Sequence, residues 1–429
     1  MGVAMRHVVA AAVLLLISLL PAWALTVEQE AKLLAADVGF DDEFGVSVAV
    51  DGDTAVIGAR GYDDYFGDSG AAYVFTRTSG VWTEQAKLLP ADGTSMGNFG
   101  FSVALDGDTA VIGAALDDDN GTSSGSAYVF TRTAGVWAEQ AKLLPADGAA
   151  QQQFGRTVAV DGDTTVIGRL GAAYVFTRTA GVWTEQAKLV PAGGAGGFIG
   201  AVTLDGDTAV IGAAFDDDNG TSAGAAYVFT RTAGVWSEQA KLLPADGAAD
   251  EQFGSTVALD GDTAVIGALR DDDNGFWSGS AYVFTRAAGV WIEQAKLLPA
   301  DGAADDFFGV TGVDGDTVVI GAAGDDDNGS DSGSGYVFTR TAGVWTERVK
   351  LLPADGSGGD FFGVAVAQDG DTVVIGAYRD DDNGFWSGSA YVFRLYDDDV
   401  PATSVGGLAV LLATVLATGV YFVRRRAGT

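Results

Sequence analysis

The stretch from Phe99 to Gly148, FGFSVALDGDTAVIGAALDDDNGTSSGSAYVFTRTAGVWAEQAKLLPADG, is rewritten along most of the chain. Its opening Phe-Gly pair, or a near match, stands at Phe44-Gly45, Phe99-Gly100, Phe154-Gly155, Ile199-Gly200, Phe253-Gly254, Phe308-Gly309 and Phe362-Gly363, giving seven copies at steps of 55, 55, 45, 54, 55 and 54 residues. Repeats of this length are single supersecondary units that cannot bury their apolar faces alone. They must stack into an array or close into a ring.

Each copy reads as four strands. Ser102 to Leu105 is a short alternating run. Asp106-Gly107 supplies the positive φ angles of a two-residue hairpin, and Thr109 to Ile112 returns as the second strand. A polar loop, Asp117-Asp118-Asp119-Asn120-Gly121, is expected at the surface, because such a stretch has nothing to pack. Ser126 to Thr133 is apolar or small on both faces and should be covered on both sides. In Trp137 to Leu144, alternation puts Trp137, Glu139, Ala141 and Leu143 on one face and Gln140 and Lys142 on the other. A half-polar strand of this kind suits a sheet edge.

The phase of the repeat chooses between array and ring. Glu28, Gln29, Ala31, Lys32, Leu33 and Leu34 repeat the fourth-strand text before any first strand has appeared, while Tyr391-Val392-Phe393 completes a third strand that no fourth follows. An open array has no reason to be cut that way. The sequence predicts an all-β, seven-bladed β-propeller of four-stranded blades over residues 25–396, closed by the N-terminal strand completing the last blade. With no cysteine among 429 residues, its stability must come from packing and closure.

Phe-Gly followed by Val-Ile-Gly-Ala, in repeats of this length over about residues 28–396, resembles the FG-GAP repeats found in the head of integrin α chains and in many exported bacterial proteins. The resemblance implies the propeller and leaves function open. Family members that bind calcium carry an acidic loop between the first two strands. Here that interval is a bare Asp-Gly turn, so those metal sites do not carry over.

The ends read as targeting segments. Residues 1–24 combine Arg6 and His7, an apolar run from Val8 to Leu20 and an Ala22-Trp23-Ala24 cleavage site, the pattern of a secretory signal peptide. A short acidic and proline-bearing linker, 397–404, precedes an uncharged apolar run, 405–423, long enough to span a bilayer as a transmembrane helix. The basic tail 424–429 follows, and Arg424, Arg425 and Arg426 place it in the cytoplasm with the propeller outside. Val400, Pro401, Ser404 and Gly407 before and within the span, with the terminal arginines, resemble the tripartite C-terminal sorting tails of Gram-negative bacteria, of the IPTL-CTERM and PEP-CTERM kind. Such tails imply a sorting protease as partner and delivery to the cell surface or matrix. Val-Pro-Ala-Thr-Ser departs from both consensus motifs, and without processing the segment is a plain membrane anchor.

The copies differ most between their second and third strands. Five carry Asp-Asp-Asp-Asn-Gly, the first has Tyr62-Asp63-Asp64-Tyr65-Phe66 instead, and the third passes directly from Arg169-Leu170 to Gly171. Calcium is the one cofactor these loops could hold, through the hard oxygens of Asp117 and Asp119, Asp216 and Asp218, Asp271 and Asp273, Asp325 and Asp327, and Asp380 and Asp382. The alternating spacing of an EF-hand is missing, however, and a solvated turn accounts for the same residues. That reading is favoured and predicts no specific calcium effect. Phe276-Trp277, Phe385-Trp386, Tyr62 and Tyr65 are candidate stacking platforms for a glycan or protein ligand, or caps on neighbouring loops.

A formal charge of −34 repels nucleic acid and anionic membrane. With the signal peptide removed, the only histidine is gone, so a hydrolase on this ring would need paired carboxylates. The glutamates fall mainly in the repeated Glu-Gln of the fourth strand and read as structural. Three classes follow: a non-enzymatic surface binding or adhesion module, a passive surface or matrix protein, and a carboxylate-dependent hydrolase.

Overall fold

The computed structural model describes residues 25–63, 67–93, 96–193 and 200–397, and they form 28 strands arranged as seven four-stranded sheets. Six blades are consecutive in sequence: blade 1 (44–88), blade 2 (99–143), blade 3 (157–189), blade 4 (201–242), blade 5 (253–297) and blade 6 (308–351). Blade 7 joins three C-terminal strands, Ala365–Asp369, Thr372–Ala377 and Ser389–Asp397, to the N-terminal strand Leu25–Leu33 at its outer edge. The expected closure is therefore observed. The signal peptide, the sorting segment from Val400 onward, the apolar run 405–423 and the tail lie outside the described residues. The propeller core lies within Glu28–Arg394.

In blade 2 the strands are Phe99–Asp106, Thr109–Ala114, Ser126–Thr133 and Val136–Leu143, paired antiparallel in order. The third strand is buried from Ser126 to Phe130, as its two apolar faces require. The fourth does not alternate as expected. Phe130 pairs with Glu139 and Val129 with Ala141, so Gln140 is a bulge, and the period slips by one residue before Lys142.

The core lies between blades. Val56, Val74 and Leu88 of blade 1 pack on Phe99, Ile112, Tyr128 and Phe130 of blade 2, and the same cluster recurs around the ring. Phe99 is the anchor. Its ring meets Tyr128 and Phe130 edge-on at 5.4 and 6.0 Å and is only 1% exposed, a burial that contributes about 2–3 kcal/mol per copy. Gly100 has φ +87°, and a Cβ there would stand 2.2 Å from the Ala71 carbonyl oxygen of the preceding blade. The Phe-Gly pair thus fills the gap between two blades and permits close backbone approach across the same junction.

Two rings of hydrogen bonds run round the whole circle. At the hairpins, each Asp carboxylate accepts from the next blade's glycine N–H, as in Gly107 to Asp51 at 2.5 Å and Gly162 to Asp106 at 2.7 Å, and Gly52 to Asp369 at 2.7 Å closes the circle. At the opposite end the fourth-strand Glu accepts from the preceding linker, as Ala91 N–H gives to Glu139 at 2.8 Å. Gln29 takes this role at the seam, accepting from Ala354 N–H at 2.9 Å. The repeated Glu and the Asp-Gly turn are blade-to-blade connectors.

Candidate functional site

Strand direction places the Phe-Gly corners, the blade-to-blade linkers and the loops between second and third strands on one face of the ring. The Asp-Gly hairpins and Ala-Gly turns lie on the other. The loop-bearing face holds the candidate residues, and its acidic loops are built differently from a solvated turn.

In blade 2, Asp117 is buried, at 2% exposure. Its carboxylate accepts from Ser126 Oγ at 2.6 Å and Tyr128 Oη at 2.9 Å, and meets Lys142 Nζ at 3.0 Å. Lys142 Nζ also pairs with Asp119 and, at 2.8 Å, with Asp92 from the linker leaving blade 1. A lysine ammonium therefore sits at the centre of three carboxylates and one phenol. The bulge at Gln140 brings it there, two residues on. The expectation that the loop could not pack is corrected, because its first aspartate is buried and satisfied by a half-buried cation.

The arrangement recurs. Lys296 lies 2.7 Å from Asp271, 2.7 Å from Asp273 and 3.0 Å from Asp246. Lys350 is 2.8, 2.6 and 3.0 Å from Asp325, Asp327 and Asp301. In blade 4, Lys241 meets Asp216 at 2.8 Å and also Asp218, while Gly193 stands where the other linkers have Asp. At the seam the cation comes from the N-terminal strand: Lys32 is 2.9 Å from both Asp355 and Asp380 and 2.5 Å from Asp382. Burial alone would lower the Lys142 and Lys350 ammonium pKa values, but their carboxylate hydrogen bonds push them well above the usual lysine range. Burial likewise pushes Asp117 and Asp325 up, and hydrogen bonds from serine, lysine and tyrosine more than reverse it, holding both below the usual carboxylate range.

The two aberrant copies keep the cation and change its partners. Blade 1 has Tyr62 in place of the first aspartate. Its ring lies 3.3 Å from Lys87 Nζ and its hydroxyl reaches Asp37 at 3.4 Å, so Tyr62, 8% exposed, packs and presents no surface. In blade 3, where the loop is missing, buried Arg169 donates to Tyr174 Oη at 2.8 Å, and Lys188 meets Asp147 at 2.5 Å. Tyr65 lies outside the described residues.

These contacts bear directly on metal binding. Among the described residues, no group of three or more His, Cys, Asp or Glu side chains is arranged to hold a metal ion. The five acidic loops do converge their carboxylates, yet a covalently tethered ammonium fills each centre, so a calcium ion would have to displace it. The donor set does not fit a free cation while the lysines are present. No sequence rule flagged this, because the lysine is about 25 residues from its loop and the bulge that aims it is invisible to alternation.

Phe276 and Phe385 are 58% and 50% exposed, and each lies flat on the tryptophan that follows, at 4.4 and 4.5 Å between ring centroids. At the axis, the first strands of all seven blades line a channel of about 240 Å³, where Thr203, Thr311 and Gln368 are the polar side chains in a wall of valine, alanine and leucine. Among the described residues, no carboxylate lines it.

A closed circle of seven antiparallel blades, uniform between blades and varied on its loop-bearing face, is a seven-bladed β-propeller scaffold. Its sequence matches the FG-GAP repeat model at residues 27–75, 82–130, 137–176, 183–229, 236–284, 291–338 and 345–393, and the chain belongs to that family. Each matched unit begins with a fourth strand and ends within a third, one strand out of step with the blades. No curated protein matches the chain.

Proposed function

We propose that this chain is an exported, non-enzymatic binding or adhesion module that offers its loop-bearing rim to an extracellular protein or glycan. The observation that carries the reading is where the repeat is broken. The connectors between blades recur in most copies, whereas the shortened turn at Arg169 and the two Phe-Trp pairs fall on the loop-bearing face. A rigid ring with one varied face is the arrangement through which propeller loops tune recognition. In this reading residues 1–24 direct export. The 405–423 segment, with Arg424 to Arg426 inside, anchors the chain at least until a sorting protease acts at 397–404, and the ring ends at the cell surface or in the matrix.

The test has two parts. Protease added to intact spheroplasts should degrade the repeats while an uncleaved C-terminus stays protected. A variant whose five acidic loops are cut to the Arg169-Leu170-Gly171 form should lose ligand capture from extracellular material. Protection of the repeats, or undiminished capture, would overturn the proposal.

A further inference from the structure

Blades 5 and 7 depart from the other rim loops in the same places. Blades 2, 4 and 6 have Thr122-Ser123, Thr221-Ser222 and Ser330-Asp331 where these two have Phe276-Trp277 and Phe385-Trp386. The residue before the first loop aspartate changes in step, from Leu116, Phe215 and Gly324 to Arg270 and Arg379. The paired changes build one object twice. The Arg270 guanidinium lies 4.5 Å from the Trp277 ring, and Trp277 stacks on Phe276 with planes 24° apart. The Arg379 guanidinium lies 4.3 Å from Trp386, which stacks on Phe385 at 21°. Arg, Trp and Phe form three layers, with the phenylalanine outermost.

Their tryptophan and arginine members also pack on linker residues, Trp277 meeting Phe307 at 5.9 Å and the Arg379 guanidinium lying 4.8 Å from Phe361, but this does not bury the phenylalanines. Phe276 and Phe385 stay half exposed, and Phe40, 71% exposed, extends the second platform by lying beside Phe385 at 5.7 Å and 28°. Both tryptophans sit at positive φ, 55° and 57°, at the turn position that Ser123, Ser222 and Asp331 fill elsewhere. Short polar side chains tolerate that region, and a tryptophan there costs on the order of 1 kcal/mol. The fold thus bears local strain to hold a flat apolar disc out in water, stiffened from behind by a cation–π contact.

We propose that the two platforms are stacking subsites for a neutral polysaccharide. The inference rests on the rim being a binding face and names its ligand class. A flat, immobilised aromatic face suits the apolar C–H face of a pyranose ring. Two platforms of the same Arg-Trp-Phe make on one rigid ring suit a ligand that itself repeats, which a unique peptide does not. Asp272, Asp273 and Asn274 in one loop, and Asp381, Asp382 and Asn383 in the other, are exposed beside the discs and offer hydrogen-bond partners to sugar hydroxyls. The same carboxylates, within a chain of charge −34, disfavour a polyanion.

The test is affinity electrophoresis of the full chain through gels holding dextran, xylan, galactomannan or mixed-linkage β-glucan, with polygalacturonate as the anionic comparison. At least one neutral polymer should retard the chain and polygalacturonate should not. Phe276→Ala and Phe385→Ala should each weaken retardation about tenfold, as loss of one aromatic contact does, and the double variant should lose more than the product of two equal sites acting alone. Both side chains are at the surface, so unchanged melting temperatures will show that the variants fold. Phe276→Tyr, which keeps the flat face, should bind as the parent does. Failure of all four neutral polymers, equal retardation by polygalacturonate, or parent-like binding by the double variant would overturn the inference. If loop shortening abolishes capture of another ligand while the double variant captures it normally, rim binding stands and only the polysaccharide assignment falls.

Discussion

Replacing Lys350 with methionine tests what holds the acidic loops. Lys350 Nζ lies within 3.0 Å of Asp301, Asp325 and Asp327, and its side chain is 15% exposed. Asp301 and Asp327 are half exposed and can rehydrate, so their loss of a partner should cost little, as for a surface ion pair. Asp325, 4% exposed, cannot. Its remaining partners, Ser334 Oγ at 2.8 Å, Tyr336 Oη at 2.8 Å and the Asp327 N–H at 3.1 Å, are all neutral and leave a buried charge without its counterion. Breaking such a pair from one side costs about 3–5 kcal/mol at pH 7. The sign with pH follows from Asp325, whose folded-state pKa is held below its unfolded value. Its contribution in the parent is present above the unfolded carboxylate range and is lost as pH falls through the lower folded value. In the variant the desolvated carboxyl takes up its proton more readily, so the gap between variant and parent is widest near neutrality and closes in acid. Urea unfolding from pH 3.5 to 8 measures it. The double variant Lys350→Met/Asp325→Asn should recover part of the loss at pH 7. A cost below about 1 kcal/mol that does not change with pH would show the lysine to be an ordinary surface residue, refuting its role as counterion of a buried carboxylate.

Three further outcomes follow. Deleting residues 25–36 removes the outer strand of blade 7 together with Lys32 and Gln29, so it should lower the urea midpoint far more than removing twelve residues of rim loop; equal midpoints would refute closure. Asp306, 4% exposed, has its carboxyl pushed up to about 6 by burial, so its folded pKa lies above the unfolded value and its favourable contribution is lost as pH rises through about 6. Asp306→Asn, which keeps an acceptor for Ala303 N–H, should therefore stabilise by about 1–3 kcal/mol at pH 8 and by nothing at pH 3.5, and a benefit independent of pH would contradict this. Calcium should not raise the melting temperature of the parent beyond the effect of sodium at matched ionic strength, since each cage holds its own ammonium; saturable calcium binding at several sites would overturn that.

Periodicity carried the architecture because a repeat states the same packing problem seven times. Phe-Gly spacing gave the blade count and the misplaced Glu28 to Leu34 text the closing strand; Asp-Gly located the hairpins, but the turn residues are Gly107 and Asp108 and only the glycine has positive φ. Acidic loops were legible as loops and misleading as surface. Local composition makes Asp117-Asp118-Asp119 look uniformly hydrated, yet Asp117 is buried while Asp118 turns back to accept the Ser123 N–H at 2.7 Å. What separates them is a lysine 25 residues away and a one-residue bulge, and neither is a property of the loop. The aromatic pairs were visible as oddities, while the arginines behind them became meaningful only once the stacks were seen.

The seam shows how far the ring depends on partners one blade apart. In five junctions a fourth-strand tryptophan donates Nε1–H to the bulged glutamine of the preceding blade, as Trp137 does to Gln85 at 2.9 Å and Trp345 to Gln294 at 2.9 Å. The pairing requires glutamine in one repeat and tryptophan in the next, so a change in either should be felt by its neighbour. Both departures lie next to the closing strand. Aligned on Lys32, that strand carries Glu30 where blades 1 to 5 carry glutamine; Glu30 instead pairs with Arg77 at 3.0 Å, and Trp82 Nε1 is left buried without an acceptor. On the other side the same alignment gives the strand no tryptophan, and blade 6 correspondingly has Arg348 in the glutamine position. An orphaned buried N–H costs about 1–3 kcal/mol, while the Glu30 to Arg77 ion pair, with both side chains below 15% exposure, joins the N-terminal strand to blade 1. The blade 7 to blade 1 junction exchanges a neutral hydrogen bond for a charged one, beside the strand pairing inside blade 7 that no continuous chain spans.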